Sequence, residues 1–148
     1  MTLLNIADML SDILDLQDVY AGTIDGNLDK CIGVYNAKTS KPQRICIGGK
    51  ACTKTLEKHI SVLIHWTDTP TQAEIKAQSV LDILSDIRQH KADGFTVKYL
   101  ECKEPVSVGR DERGVCEYVI EATVYYERNE RVWQTQQEFI PYMKTSSR

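Results

Sequence analysis

Apolar positions recur along the chain with two different periods, and the places where the period changes mark its elements. From Leu3 to Leu16, steps of about 100° gather Leu3, Ile6, Met9, Leu10, Ile13, Leu14 and Leu16 on one broad side, with Asp8, Asp12 and Asp15 opposite. This predicts an amphipathic helix, capped by Thr2 or Asn5. Asp15 and Asp18 lie near the helix C-terminus, where the dipole disfavours acids, so this face is expected to meet something basic. From Arg44 to Trp66 the rule changes. A short apolar run, Ile45-Cys46-Ile47, breaks at Gly48-Gly49, and a longer run follows. In it Ile60, Val62, Ile64 and Trp66 alternate with His59, Ser61, Leu63 and His65. Period 2 with β-branched and aromatic residues predicts a central strand with one buried face.

The break after Trp66 is sharp. Thr69 with Pro70 at the first helical position, or Thr71 with Glu74 as a capping box, starts a second helix. Ala73, Ala77, Val80, Leu81, Ile83, Leu84 and Ile87 cover one side through about His90, and Gly94 is expected to close it. Between the first helix and the central stretch, Asp25-Gly26-Asn27 marks a turn and Leu28 to Tyr35 reads as a strand. Lys38 to Pro42 is a polar, basic loop, a flexible arm between strands. Later, Phe95, Val97 and Tyr99 alternate with Thr96 and Lys98, and a turn-rich link from Gly109 to Gly114 leads into a long strand from Val115 to about Arg128. These two form a hairpin, one that projects beyond the body. The order α-β-β-β-α-β-β predicts an α+β fold: a twisted, mainly antiparallel sheet with two helices packed on one face. Residues 1–128 are expected to form a single domain. Residues 129–148 are polar, with Trp133, Phe139 and Tyr142 isolated among them, and read as a loosely tied tail that docks on a partner.

At 148 residues the chain is long enough to bury a core without disulfides or metal. No apolar run approaches the roughly 20 residues that span a bilayer, so no membrane partner is expected. Early acids and the lack of a basic n-region argue against a secretory signal. Five cysteines (Cys31, Cys46, Cys52, Cys102, Cys116), odd in number and without a CxxC, read as free thiols in a reducing cytoplasm.

The net charge of −3 becomes informative once divided. Residues 1–30 hold six acids and one base; residues 38–58 hold six bases (Lys38, Lys41, Arg44, Lys50, Lys54, Lys58) and one acid; the remainder is −3. Such a bipolar layout suits intermolecular docking, or an anionic partner for the basic segment.

Candidate chemistry mostly fails on inspection. Gly48-Gly49-Lys50 invites a phosphate-loop reading, but the pattern needs glycine where Arg44 stands and Ser or Thr where Ala51 stands. His59 and His65 share a strand face but lie roughly 20 Å apart, too far to chelate one metal. Cys46 and Cys52 lack further ligands at zinc spacing. No nucleophile–base arrangement stands out, and the acidic helix face is exposed. No catalytic, cofactor-binding or metal residue is assigned. The basic segment lacks interleaved aromatics and the pI is about 5.6, which disfavours tight nucleic-acid binding.

The layout resembles a phage protein family. The residues that carry the resemblance are the stretch RICIGGKACTKTLEKHISVLIHW, above all Arg-Ile-x-Ile-Gly-Gly and Ile-Ser-Val-Leu-Ile-His-Trp, and the helix TPTQAEIKAQSVLDIL. They are similar to the small minor capsid proteins of phages and prophages of Gram-positive bacteria, and in size and element order to siphophage tail terminators. The resemblance covers most of residues 1–128. Cys31, Cys46 and Cys52 are not part of the family pattern. The resemblance implies a non-enzymatic virion protein without cofactors. It would form a homo-oligomeric ring, a hexamer, at the head-proximal end of the tail tube, ending tube polymerisation and joining tail to head. Its partners would be itself, the major tail tube protein and head–tail connector proteins, with DNA passing through unbound, after assembly in the host cytoplasm. The interface candidates are Asp8, Asp12 and Asp15 on one side and Lys38, Lys41, Arg44, Lys50 and Lys54 on the other. The alternatives are another connector or head-completion protein of the same particle, and a small cytoplasmic enzyme with a sheet-edge cleft.

Overall fold

Hydrophobic alternation in the central strands leaves one sheet face to be buried, and two amphipathic helices cover it. The computed structural model describes residues 1–38, 42–49, 53–92 and 94–129. In chain order the elements are α1 (Leu3–Leu14), β1 (Val19–Ala21), β2 (Lys30–Asn36), β3 (Leu56–Trp66), α2 (Pro70–Ser85), β4 (His90–Ala92), β5 (Phe95–Cys102), β6 (Val106–Arg110) and β7 (Cys116–Arg128). The strands lie side by side as β1-β2-β3-β7-β5-β4, with β6 also on β7. Every pairing is antiparallel except β1 with β2. The fold is α+β, as the element pattern predicts.

β7 organises the sheet together with β3. One edge of β7 pairs with β3 from Leu56↔Tyr126 to His65↔Glu117. Its other edge is shared: β5 takes Ala122 to Arg128 and β6 takes Cys116 to Val119. The Lys103 N–H bridges the gap by donating to the Glu121 carbonyl (2.9 Å). β5 and β6 thus act as one interrupted strand, which is the hairpin expected around Gly109–Gly114.

The core lies between the helices and this face. Leu56, Ile60, Val62 and Ile64 of β3 and Ile120, Ala122, Val124 and Tyr126 of β7 are buried, with Ile32 and Val34 of β2. Over them pack Ile6, Met9 and Leu10 of α1 and Ala77, Val80 and Leu84 of α2. α1 starts in a full capping box between Thr2 and Asn5. At α2 Thr69 is the N-cap, with Pro70 following, but its side chain makes no cap hydrogen bond.

Several local expectations change. Ile45-Cys46-Ile47 is not a strand; it leads into a turn, and Ile47 is fully exposed. α1 ends at Leu14, where Asp15 takes a left-handed conformation (φ 51°). α2 ends at Ser85 rather than near His90, because Gln89 turns left-handed (φ 49°) and its N–H joins Lys98 of the sheet. Ile87 stays buried beyond the helix, which is why the apolar period runs on. Gly94 (φ 77°) turns β4 into β5 instead of closing α2. The short strands β1, β4 and β6 are additions to the expected order.

Candidate assembly surfaces

The sheet face turned away from the helices carries the polar half of the alternation. Polar side chains of β3 and β7 pair across the strands there, with His59 Nε2 left buried without a hydrogen-bond partner among the described residues. His59 Nδ1 lies 3.1 Å from Thr123 Oγ1, and Ser61 donates to the Glu121 carboxylate (2.8–2.9 Å). Tyr99 stacks on Tyr125 with ring centroids 4.6 Å apart. His65 is fully buried: Nδ1 faces Glu117 Oε2 and Nε2 faces the Leu28 carbonyl, each at 3.0 Å. Asp111 Oδ2 is 3.5 Å from the same Nε2. These groups pair within strands and turns. Among the described residues no group of His, Cys, Asp and Glu is placed to hold a metal. No helix of the described residues is long and apolar enough to cross a membrane.

The connections at the His65 end are stitched together. Arg113 reaches from the β6–β7 turn to the Gly26 carbonyl (2.6 Å) and the Asp29 carboxylate (2.7 Å). Asp111 accepts N–H groups of Val115 and Arg113 (both 2.9 Å). These two bonds, the first the larger, hold the Asp111 carboxyl below its usual range. Asp29, bonded to Arg113, and Glu117, facing His65, are the acids tied in at this end of the sheet beside Asp111. Trp66, where β3 stops, stands between two ammonium groups, Lys30 (5.4 Å) and Lys76 (4.7 Å). Burial, and then Lys30, lowers the Lys76 pKa.

The opposite end of β3 is basic. There the described parts of the β2–β3 connection, residues 37–38, 42–49 and 53–55, leave the sheet as an arm. Gln43 anchors it by donating to the Glu57 carbonyl and accepting the Glu57 N–H (3.2 Å). Beyond that point the arm bonds to itself. Gly49 N–H returns to the Cys46 carbonyl (2.9 Å), and Thr53 ties Cys46 N–H (3.0 Å) to the Gly49 carbonyl (2.9 Å). Lys38, Arg44 and Lys54 are exposed on the arm. Lys41 and Lys50 lie outside the described residues. Arg44 is close enough to Tyr125 to offset part of the rise that burial imposes on that hydroxyl.

Asp8, Asp12 and Asp15 are all exposed on the outer side of α1, as their spacing predicts. Among the described residues no ion pair joins them to Lys38, Arg44 or Lys54. The acids share one helix face and Lys38, Arg44 and Lys54 share one arm, and among the described residues the two groups are not brought together.

Two kinds of surface residue escape the sequence pattern. On the outer face of α2, Thr71, Glu74, Ile75, Gln78, Ser79 and Asp82 line an open depression, and Ile75 is 64% exposed. With α1 this makes the helix layer acidic on its outside. On β6, Val106 and Val108 are exposed on a strand paired along one edge only. Ile75 carried a signal, an isoleucine standing off the apolar stripe of its helix; β6, at five residues, carried none.

The profile of a family described as "Bacteriophage tail terminator protein" matches residues 2–128. A solved chain from a structure titled "Virion of native gene transfer agent (GTA) particle" is 11% identical, with a TM-score of 0.53; the alignment covers 80% of this chain and 84% of that one. A second solved chain is also 11% identical, over 85% of this chain and 89% of its own, with a TM-score of 0.46. At 11% identity the likeness to the first of these concerns the fold alone. No curated protein matches the chain.

Proposed function

Since this chain belongs to the bacteriophage tail terminator family and is a structural component of a phage-type virion rather than an enzyme, we propose that it forms the ring that ends the tail tube. In this reading about six copies close on the head-proximal end of the tube after assembly in the host cytoplasm. The ring stops further addition of the major tail tube protein and offers its other surface to a head–tail connector. DNA passes through without specific binding.

The observation that carries the reading is the family match, which spans the whole described fold. The surface physics supports it. A closed ring is built from heterologous contacts, in which two different patches of one chain meet on neighbouring copies. The acidic side of α1 (Asp8, Asp12, Asp15) and the basic arm (Lys38, Arg44, Lys54) are oppositely charged and unpaired with each other among the described residues, and the sequence adds Lys41 and Lys50 to the basic segment. They act across subunit contacts or toward the tube. Residues 1–128 act as one domain and residues 129–148 dock on a partner.

Polymerising tail tubes of the same phage, mixed with the purified protein and viewed by negative-stain microscopy, test this. Tubes should stop lengthening and carry a ring at one end. Tubes that lengthen as before, without rings, contradict it.

A further inference from the structure

The arm and the α2 depression complement each other in more than charge. Ile47 stands at the tip of the arm, fully exposed. It is held there by a built turn: Gly49 in the left-handed region (φ 85°), its N–H on the Cys46 carbonyl, and Thr53 bridging both strands of the turn. An isoleucine presented to water by an internally hydrogen-bonded turn has its apolar surface uncovered by the described residues of its own chain. Exposed bases, Arg44 and Lys54, stand on either side of it in the arm.

The depression on α2 has the opposite composition. Its centre is Ile75, and Glu74 and Asp82 stand on its rim beside Thr71, Gln78 and Ser79. An apolar centre inside a charged rim is the anatomy of a contact site, and the rim charges are opposite to those of the arm. Among the described residues the two surfaces do not meet within one chain. The described hydrogen bonds of the arm reach Glu57 of β3 and the arm's own turn, and none reaches α2.

We propose that Ile47 seats against Ile75 in the α2 depression of a second copy of this chain, with Arg44 and Lys54 facing Glu74 and Asp82. Each copy carries both halves, so the contact is heterologous and repeats from one subunit to the next. The charged faces steer the subunits together, and the seated isoleucine fixes their register. This inference rests on the ring reading and adds to it which part of the acidic helix layer receives the arm tip.

The test places the photo-crosslinker benzoylphenylalanine at position 47 in tails assembled with the full-length protein. Irradiation should give a product of twice the chain mass, in which position 47 is joined to a peptide within residues 70–85. Ile75→Glu should cut its yield at least fivefold with the circular dichroism spectrum unchanged, since Ile75 packs no core. Crosslinks to α1, to another protein or within one chain overturn the inference, as does the absence of any crosslink. If rings still cap tails of normal length, the ring reading survives that failure; if no rings are present, both fall together.

Discussion

His65 and Glu117 sit directly opposite each other in the β3–β7 pair, with imidazole Nδ1 3.0 Å from Glu117 Oε2. The ring is fully buried and both of its nitrogens face oxygen acceptors. Removing it leaves a cavity, an unsatisfied Leu28 carbonyl and an orphaned carboxylate. His65→Ala is therefore expected to destabilise the protein by about 2–4 kcal/mol in chemical denaturation. Glu117→Gln keeps an acceptor and should cost about 1 kcal/mol. An alanine variant within about 0.5 kcal/mol of the parent would mean that the ring is not part of the fold's support.

Gly33 is a position where packing forbids a side chain. A Cβ there would lie 2.5 Å from Ile24 Cγ2, 2.8 Å from the Tyr35 ring and 3.3 Å from the Thr23 carbonyl. The β1–β2 loop closes onto the sheet at that point. Gly33→Ala is expected to cost about 1–3 kcal/mol through overpacking. Much of the loss should return in the double variant with Ile24→Ala, which removes the nearest obstacle. Additive losses in the two variants would place the strain elsewhere.

The cysteines should react in an order set by their surroundings. Burial pushes the Cys31 thiol up to about 11, and burial also raises Cys102. Cys46 is exposed, and its hydrogen bond from Thr53 (3.3 Å) lowers its pKa. The thiolate is the nucleophile, so at pH 8 Cys46 should be alkylated well before Cys31, Cys102 and the buried Cys116. Peptide mass spectrometry after brief iodoacetamide treatment reads this. Thr53→Val should slow Cys46 alone; equal labelling of Cys31 and Cys46 in the native protein contradicts the account.

The acidic side of α1 makes a separable prediction. Asp8, Asp12 and Asp15 are exposed, so the triple change to lysine should alter stability by no more than about 1 kcal/mol. Assembly should weaken at least tenfold. Lys38→Glu with Lys41→Glu should restore part of it, because Arg44 and Lys54 face Glu74 and Asp82 in the arm contact and these two bases do not. Measured by mass photometry or by incorporation into tails, normal assembly of the triple variant ends the idea that this face is an interface.

Much of this fold was legible in the sequence because long elements write their period clearly. β3 and β7, at 11 and 13 residues, alternate over their whole length, and α1 shows both its stripe and its cap. Elements of three to five residues such as β1, β4 and β6 are too short for a period to register. The run Ile45-Cys46-Ile47 was misleading because apolar side chains mark a strand only where a neighbouring strand receives them. Here the diglycine turn holds them away from the sheet. Asp8, Asp12 and Asp15 could be placed on one face from spacing alone. That the basic arm bonds to itself depends on tertiary placement, whereas Ile75 stands off the apolar stripe of α2 in the sequence itself.

The central claim, that this protein ends the tail, is tested most directly by electron microscopy of particles made without it. The account predicts abnormally long tubes of variable length with few heads attached, and recovery of uniform length when the protein is supplied. Tails of normal length joined to filled heads in its absence would contradict it.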